Sequence, residues 1–543
     1  MATSIRLRPW QRLALDTFRT SERADFLAVA TPGAGKTTFA LTAAAQALAS
    51  GQARGLVVVA PTQHLKVQWA EAAARFGLAL EPDWSARDGR LPGDMHGVVT
   101  TYQQVATSSA PLRSLTSGAF VVLDEIHHAG DDRAWGEAVL EAFEPAARRL
   151  SLSGTPFRSD TSAIPFVEYH LDEARADFEY GYGDALSDGG VVRPVFFPRI
   201  GGHMEWIAPD GSEMSAAFDD ELDAQGANQR LRTALSLEGE WLPTVLADAN
   251  EQLTRIRQTQ PDAGGLVIAM DQAHADGIAR LLRKYGSAPT VAVSDDPGAS
   301  KKIAQFASSA EPWIVAVRMV SEGVDIPRLR LGVFATNTTT ELFFRQAVGR
   351  LVRWTPGRRA QRAYLFIPDD PRLRTWASSI ADARRHSLRK RSGDDGDRFA
   401  SDELDDRDRL EREDDDGEQL SMFAVISAVA HDAPAESVPE LFAEDPTEPW
   451  GDPPPDGYEI HLAVPPLPGG GEGSGAPTRA AQKRDLRAAN SVIATELVHV
   501  TGMSHRAVNA ELNRLAGITR ITEATVVELE RRRLAGERWL RNW

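Results

Sequence analysis

The sequence contains no cysteine and no long apolar run. Without cysteine it can form neither a disulfide framework, nor an iron–sulfur cluster, nor a cysteine-based zinc finger, and the composition suits a reducing compartment. The longest apolar stretches, such as residues 55–60, have the length of a strand and fall far short of the ~20 residues that span a bilayer. The first residues show no apolar run behind a basic start, which argues against a signal peptide. We therefore expect a cytoplasmic protein that does not enter a membrane.

An excess of positive charge is also missing, because the net charge is −17 over 543 residues. The acidic excess is local. Residues 393–450 hold 4 Arg against 20 Asp and Glu, whereas residues 1–392 hold 44 basic and 46 acidic side chains. Residues 479–543 hold 12 basic and 7 acidic side chains. The near-neutral remainder, with its basic C-terminal part, leaves room for a local phosphate-binding surface.

Two series of short apolar segments alternate with helical stretches, as in α/β domains with buried parallel strands. The predicted strands of the first series are 26–30, 55–60, 97–101, 119–123 and 149–153. The predicted strands of the second series are 265–270, 290–294, 313–317, 331–336 and 362–367. We predict doubly wound domains at 1–190 and 191–392, with an alanine-rich helix at 37–50. Residues 197–240 have no clean period and are a candidate inter-domain insertion.

The remaining residues differ in composition. Residues 393–478 are acid-rich, then Pro-rich, then Gly-rich. Such a segment cannot bury enough apolar surface to offset its chain entropy, so we predict a disordered linker in which residues 420–429 dock as a short helix. Residues 479–543 read as a small helical module with turn breaks near 501–504 and 516–517 and a last helix at 523–539.

A glycine-rich turn at 30–37 stands between a predicted strand and a predicted helix. Gly33 and Gly35 would let backbone N–H groups approach phosphates, and the helix N-terminus would add a favourable dipole. Lys36 would reach the β- and γ-phosphates of ATP, and Thr37 would ligate Mg²⁺. The first residue of the turn is alanine instead of the usual glycine, and a tight strand–helix turn without a ligand is the alternative interpretation.

The apolar strand at 119–123 ends in two carboxylates. Asp124 is placed to hold Mg²⁺, often through water, and Glu125 to polarise an attacking water, the two tasks that phosphate hydrolysis needs. A solvated strand end with two chance acids is the alternative. His127 follows closely, and a lone histidine in such a place is often structural, as we expect of His128.

Gln346, Arg350 and Arg353 are spaced at i, i+4 and i+7, which places them on one face of a helix. Two arginines there could reach the γ-phosphate of a nucleotide held by the other domain, as arginine fingers do. An exposed basic helix face is the alternative. The apolar neighbours at 343–344 and 351–352 favour a packed helix.

Six short blocks follow one another in a fixed order, namely 7–11, 30–37, 124–127, 153–156, 321–327 and 346–353. Because of these six blocks, residues 5–390 resemble a superfamily 2 helicase or translocase of the DExH type. The resemblance is to the group that contains the type III restriction motor subunits and the XPB-like DNA repair helicases. It implies two RecA-like domains with ATP and Mg²⁺ in the cleft between them.

The resemblance also implies a role for each matching residue. The implied nucleotide-binding residues are Gln11, Gly33, Ala34, Gly35, Lys36, Thr37, Thr38, Gly323 and Asp325. Among the matching residues, Gln11 would read adenine, and Thr37 and Asp124 would ligate Mg²⁺. The catalytic set is Lys36, Asp124, Glu125, Gln346, Arg350 and Arg353. The set that couples hydrolysis to strand movement is His127, Ser153 and Thr155, with His127 linked to Gln346 across the cleft. The loops at 60–65 and 100–104 resemble motifs that hold the phosphate backbone, and ordinary strand–helix loops are their alternative.

These observations predict an ATP-dependent helicase or translocase acting on nucleic acid, with DNA favoured over RNA. One alternative is a translocase that remodels protein–DNA complexes without unwinding; another is an ATP-gated binding switch within a defence or repair complex. The sequence shows no nuclease or methyltransferase motif, so such an activity would come from a partner protein. In the C-terminal module, Arg506, Asn509 and Arg514 could meet nucleic acid, and a protein-docking or stabilising tail is the alternative.

Overall fold

The computed structural model describes residues 2–86, 91, 93–130, 133–154, 164–170, 173–293, 296, 298–317, 326–358, 361–392, 424–432, 457–463, 465, 467, 479–519, 521 and 524–542.

The first sheet has seven parallel strands. In spatial order they are β10 (Phe178–Tyr180), β2 (Asp25–Ala30), β7 (Arg148–Ser153), β6 (Phe120–Leu123), β3 (Leu56–Ala60), β5 (Gly97–Thr101) and β4 (Leu80–Glu81). The helices of this half are α1 (Pro9–Thr20), α2 (Lys36–Ala49), α3 (Gln63–Ala74), α4 (Tyr102–Thr116), α5 (Arg133–Phe143), α6 (Tyr182–Asp188) and a short 3₁₀ helix, Ile126–Gly130. A small hairpin pairs β8 (Tyr169–His170) with β9 (Glu173–Ala174).

The second sheet has nine strands, and its central part is parallel. Along the main path they are β13 (Glu213–Ala217), β12 (Arg199–Ile207), β18 (Ala363–Pro368), β17 (Leu329–Ala335), β14 (Gly264–Ala269), β16 (Trp313–Val317) and β15 (Pro289–Ala292). Beside this path, β11 (Val195–Phe196) pairs with β18, and β19 (Ala424–Asp432) pairs with β12. The helices are α7 (Ala224–Ala234), α8 (Trp241–Thr259), α9 (Gln272–Lys284), α10 (Ala299–Ser308), α11 (Glu341–Leu351) and α12 (Pro371–Ser392).

Both sheets form where the sequence has runs of β-branched and apolar residues. The strands β3, β5, β6, β14 and β17 are buried along their whole length, as expected for parallel strands covered by helices on both faces. All ten strands predicted from the apolar runs are present. The predicted fold class, two RecA-like α/β domains followed by a helical module, is therefore confirmed, while the domain boundaries at 190 and 392 stay predictions.

Two predictions are corrected. Residues 197–240 are not an insertion between the domains, because β12, β13 and α7 belong to the second sheet and its cover. The short helix expected at 420–429 is wrong, since residues 424–432 form the strand β19, antiparallel to β12. From residue 201 to residue 207, β12 does alternate half-buried and buried residues, a period-2 signal that sequence reasoning overlooked.

The segment predicted to be a disordered linker, 393–478, contributes a second strand as well. β20 (Tyr458–Ala463) pairs antiparallel with β1 (Ala2–Leu7), and its Leu462 is buried. Most other residues of 393–478 lie outside the described part of the chain. Removing the whole segment would take away β19 and β20, which pair with β12 and β1.

The predicted helical module is present as α13 (Arg479–Thr501), α14 (His505–Ala516) and α15 (Val526–Arg541). Its centre holds a charged side chain as well as aliphatic ones. The buried guanidinium of Arg532 donates to the amide oxygens of three asparagines at 2.6–3.0 Å, namely Asn490, Asn509 and Asn513. These hydrogen bonds satisfy the buried charge and fix how the three helices meet.

Candidate nucleotide site between the two domains

The turn between β2 and α2 has the backbone geometry of a phosphate-binding loop. Gly33 and Gly35 adopt φ values of +83° and +95°, a conformation that L side chains rarely tolerate. The buried Ala34 donates its N–H to the carbonyl of Thr31 at 3.1 Å. Lys36, Thr37 and Thr38 occupy the first turn of α2, where backbone N–H groups and the helix dipole favour an anion.

Arg8, the N-cap of α1, and two residues of the first turn of α1 contact this loop. The Arg8 guanidinium donates to the carbonyls of Gly33 and Ala34 at 3.1 and 2.7 Å, and the Trp10 indole donates to that of Ala34 at 3.1 Å. Gln11 donates to the carbonyl of Gly35 at 2.9 Å and accepts from the N–H of Arg8 at 2.8 Å. Sequence reasoning singled out Gln11 alone, although Arg8 and Trp10 stand in the same block. The role of Gln11 in reading adenine stays a prediction.

Glu125 lies at the centre of the site. Its φ of +47° is rare for a residue with a side chain. One carboxylate oxygen, Oε1, lies 2.8 Å from Lys36 Nζ, and the other accepts the backbone N–H of Gly154 at 3.0 Å. Burial alone would raise the pKa of Glu125, but the charge of Lys36, the nearby His127 and these hydrogen bonds outweigh it and lower the pKa below its ordinary value. Glu125 is thereby kept ionised, the form a base requires.

Asp124 has a different environment. Burial first, and then the negative charge of Glu125, raise its pKa above the ordinary value, against the opposing influence of Lys36. Its Oδ2 accepts the indole N–H of Trp69 at 2.8 Å, and its backbone carbonyl accepts the hydroxyl of Tyr102 at 2.9 Å. Sequence reasoning missed both donors, because a large aromatic residue in a helix is usually interpreted as part of the hydrophobic core.

His127 joins the two halves of the chain. Its Nε2 lies 3.3 Å from the amide nitrogen of Gln346 in α11, which is the contact expected across the cleft. With the amide donating to Nε2, the imidazole carries its proton on Nδ1, which faces Ser153 Oγ at 3.5 Å and Glu125 Oε2 at 3.7 Å. The ring therefore connects the second domain to the candidate base and to Ser153.

The two candidate finger arginines do not share one helix. Gln346 and Arg350 lie on α11, but this helix ends at Leu351 and Val352 is its cap. Arg353 follows the cap, so the prediction of one helical face for all three residues is wrong. It still lies at the site, because a Cβ placed on Gly33 would be 3.5 Å from its Cγ.

Arg193, which sequence reasoning did not single out, holds the segment that carries Arg353. Arg193 is fully buried. The preceding residue, Val192, forms an isolated antiparallel β-bridge with Arg353. The guanidinium of Arg193 donates to the carbonyls of Pro327 at 2.7 Å and of Arg353, and to Thr355 Oγ1 at 3.1 Å. In the sequence, the position of Arg193 between the apolar residues 191–192 and 194–195 was the signal that could have indicated a buried charge.

At Gly349, the backbone of α11 packs closely against the ring of Pro32 in the phosphate loop. A Cβ on Gly349 would lie 2.5 Å from Cγ of Pro32, so only glycine fits there without movement. Thr155, Gly323 and Asp325, also predicted for this site, lie outside the described residues.

The C-terminal module is less favourable to nucleic acid than the sequence indicated. The side-chain oxygen of Asn509 accepts from the buried Arg532, and Arg514 is paired with Glu511 at 2.5 Å. Arg506 is exposed. Two of the three candidate contacts are therefore already engaged within the module.

The residues at the cleft fit Mg²⁺ and ATP by their chemistry. Thr37 and Asp124 offer a hydroxyl and a carboxylate near an amide-rich turn, and Mg²⁺ usually takes one or two protein ligands together with phosphates and water. Within the described residues no group of three or more His, Cys, Asp or Glu could hold a metal alone. None of the described helices combines the length and apolarity that crossing a bilayer would require.

Comparison with known proteins places this site in a family context. The sequence profile described as "Type III restriction enzyme, res subunit" matches residues 4–158. This match confirms the resemblance inferred from the motifs over residues 4–158, which are similar to restriction motor subunits.

Individual proteins are similar over a longer stretch. The chain is 48% identical over 390 residues to the uncharacterized protein Rv2917 of Mycobacterium tuberculosis, covering 70% of this chain and 64% of that protein. It is 48% identical over 393 residues to the uncharacterized protein ML1624 of Mycobacterium leprae, covering 71% and 65%. The chain thus spans slightly less than two thirds of the length of these relatives. A fragment of a putative HsdR subunit of a type I restriction enzyme from Vibrio vulnificus YJ016 is similar in structure, with a TM-score of 0.47, 19% identity and coverage of 68% and 65%.

Proposed function

We propose that this chain is an ATP-dependent motor on nucleic acid that couples hydrolysis in the inter-domain cleft to movement along a strand. The observation that carries the proposal is the connection from the phosphate loop to the second domain. Lys36 contacts Glu125 at 2.8 Å, and His127, two residues further, contacts Gln346 of the other domain at 3.3 Å. A site completed by both domains changes when they move apart, which is how a nucleotide drives hinge motion.

Each side chain has a task in this proposal. The glycine turn and Lys36 bind the β- and γ-phosphates, and Thr37 and Asp124 hold Mg²⁺, which supplies charge neutralisation when bound. Glu125, ionised and fixed by Gly154, orients and deprotonates the attacking water. Arg350 and Arg353 bring positive charge from the second domain to the phosphates.

DNA is the proposed track, because the motifs resemble those of DNA motors. Contacts to a phosphate backbone fix register without reading sequence, so we propose little sequence preference. The proposed place of action is the cytoplasm, with any nuclease activity supplied by a partner.

ATPase measurements against single-stranded DNA, duplex DNA and RNA test the proposal. We expect turnover that rises with DNA and vanishes in Glu125→Gln. Turnover that no nucleic acid changes would favour the ATP-gated switch instead. Strand displacement compared with displacement of a bound protein from duplex DNA then separates unwinding from remodelling.

A further inference from the structure

Two aromatic donors meet the metal-binding aspartate. Trp69 Nε1 donates to Asp124 Oδ2 at 2.8 Å, and the Tyr102 hydroxyl donates to the Asp124 carbonyl at 2.9 Å. Both rings are buried, at 3% and 1% exposure. One donor therefore fixes the carboxylate and the other the backbone that carries it. Because Trp69 takes Oδ2, Oδ1 is the oxygen that remains for a cation among the described contacts.

The two donors lie on the helices that begin within the candidate phosphate-backbone segments 60–65 and 100–104. Trp69 lies on α3, which begins directly after residues 60–62, and Tyr102 is the first residue of α4, with Thr101 as its N-cap. The Lys66 ammonium donates to Gln104 Oε1 at 3.1 Å and so ties α3 to α4. A shift of either loop would consequently move both helices and change the position of Asp124.

From this arrangement we propose that Trp69 and Tyr102 are positioning residues that transmit the binding of a nucleic-acid backbone to the metal-binding carboxylate. The inference rests on the proposed function and extends it to the regulation of the same site. Removing a group that orients a metal ligand typically lowers metal affinity or activity by about 10- to 100-fold. Backbone phosphates held by the two loops would fix α3 and α4, and thereby the rotation of the Asp124 carboxylate.

Single substitutions separate this role from packing. Trp69→Phe and Tyr102→Phe each remove one donor and keep a ring in place. Trp84→Phe is the matched control, since Trp84 is equally buried in the same domain and its indole nitrogen has no hydrogen-bond partner among the described residues. Thermal unfolding of all three variants shows how much stability the ring exchange itself costs.

Two readouts are measured on each full-length variant. The first is the Mg²⁺ concentration at half-maximal binding of a fluorescent, non-hydrolysable ATP analogue, which requires no turnover. We expect Trp69→Phe to raise it by about 10-fold or more, with a smaller rise for Tyr102→Phe. The second is the ratio of ATPase with and without DNA, which we expect both variants to lower. Trp84→Phe should leave both readouts at their wild-type values.

A wild-type Mg²⁺ midpoint and a wild-type stimulation ratio in Trp69→Phe would overturn the inference. The same changes in Trp84→Phe as in Trp69→Phe would also overturn it, since packing alone would then explain them. If the wild-type protein showed no stimulation by any nucleic acid, the proposed function would fail. The Mg²⁺ midpoint would still decide whether Trp69 positions the carboxylate.

Discussion

At the scale of single residues, the backbone of Glu125 is the most unusual feature. A φ of +47° costs a non-glycine residue about 1–3 kcal/mol, and such strain persists where surrounding contacts over-determine it. Here Lys36 holds one carboxylate oxygen and Gly154 the other. The chain keeps this conformation because it turns the carboxylate from the strand end towards the phosphate loop.

Replacing Glu125 by Gln should stall hydrolysis and leave ATP bound. The amide keeps the shape and the contact to Gly154 but cannot take a proton from water. Lys36→Ala should instead lose both turnover and affinity, because it removes the positive charge at the phosphates. Nucleotide binding by fluorescence and phosphate release distinguish the two variants. Wild-type turnover in Glu125→Gln would show that Glu125 is not the base.

Replacing Arg350 or Arg353 by Ala should lower kcat by ~10³-fold and change nucleotide affinity little, since fingers act on charge that develops in the transition state. Arg353 follows the end of α11 and lies beside Gly33, whereas Arg350 lies within the helix. Steady-state kinetics with a nucleotide titration provide the test. A large loss of affinity at constant kcat would assign the changed arginine a structural role.

At the scale of elements, the contact of β20 with β1 supports the nucleotide site from a distance. β1 leads directly into Arg8, Trp10 and Gln11, which hold the phosphate loop. On β20, Leu462 is 3% exposed, and the ring of Tyr458 lies 4.3 Å from the Arg12 guanidinium. β20 thus stabilises the segment on which the loop depends.

Leu462→Ala should therefore destabilise the first domain by about 2 kcal/mol or more, the usual cost of a buried leucine truncation, and weaken ATP binding. Leu467→Ala is the control, because Leu467 is 43% exposed and its truncation should cost little. Thermal unfolding with and without ATP measures both effects. Equal melting temperatures for the two variants would contradict a supporting role for β20.

The elements also show what the sequence could predict. Buried parallel strands such as β3 and β6 were evident, since an unbroken apolar run between turn signals leaves few other structures. β19 and β20 were not, because each lies in a stretch dominated by acid, proline or glycine and gains its stability from a strand hundreds of residues away. At the site, Lys36, Asp124 and Glu125 could be predicted from local spacing. The contacts of Trp69, Tyr102 and Arg193 depend on tertiary packing that no local pattern records.

At the scale of the whole molecule, charge is divided unevenly between segments. Affinity for nucleic acid should fall steeply with salt, because each phosphate contact releases about one counterion, and it should depend little on base sequence. Binding isotherms between about 50 and 200 mM salt give the slope. A salt-insensitive footprint on one sequence would contradict a groove that contacts the backbone.

The acidic run at 393–423 should weaken that affinity, since it competes with phosphates for the same positive groups. Exchanging it for a neutral Gly/Ser linker of equal length keeps β19 and β20, so the fold should stay intact. Nucleic-acid affinity and stimulated ATPase should rise at low salt, and the gain should shrink as salt screens the competition. An unchanged affinity at low salt would leave the run as a solubilising tether.

The pairing of β1 with β20 also has a consequence for the order in which the protein matures during synthesis. Ser4 of β1 bonds to Glu459 of β20, 455 residues later in the chain. At roughly 5–20 residues per second, a ribosome needs on the order of half a minute or more to supply that partner. On a nascent chain, the residues that hold the phosphate loop therefore lack the support of β20 until residues 458–463 have been made.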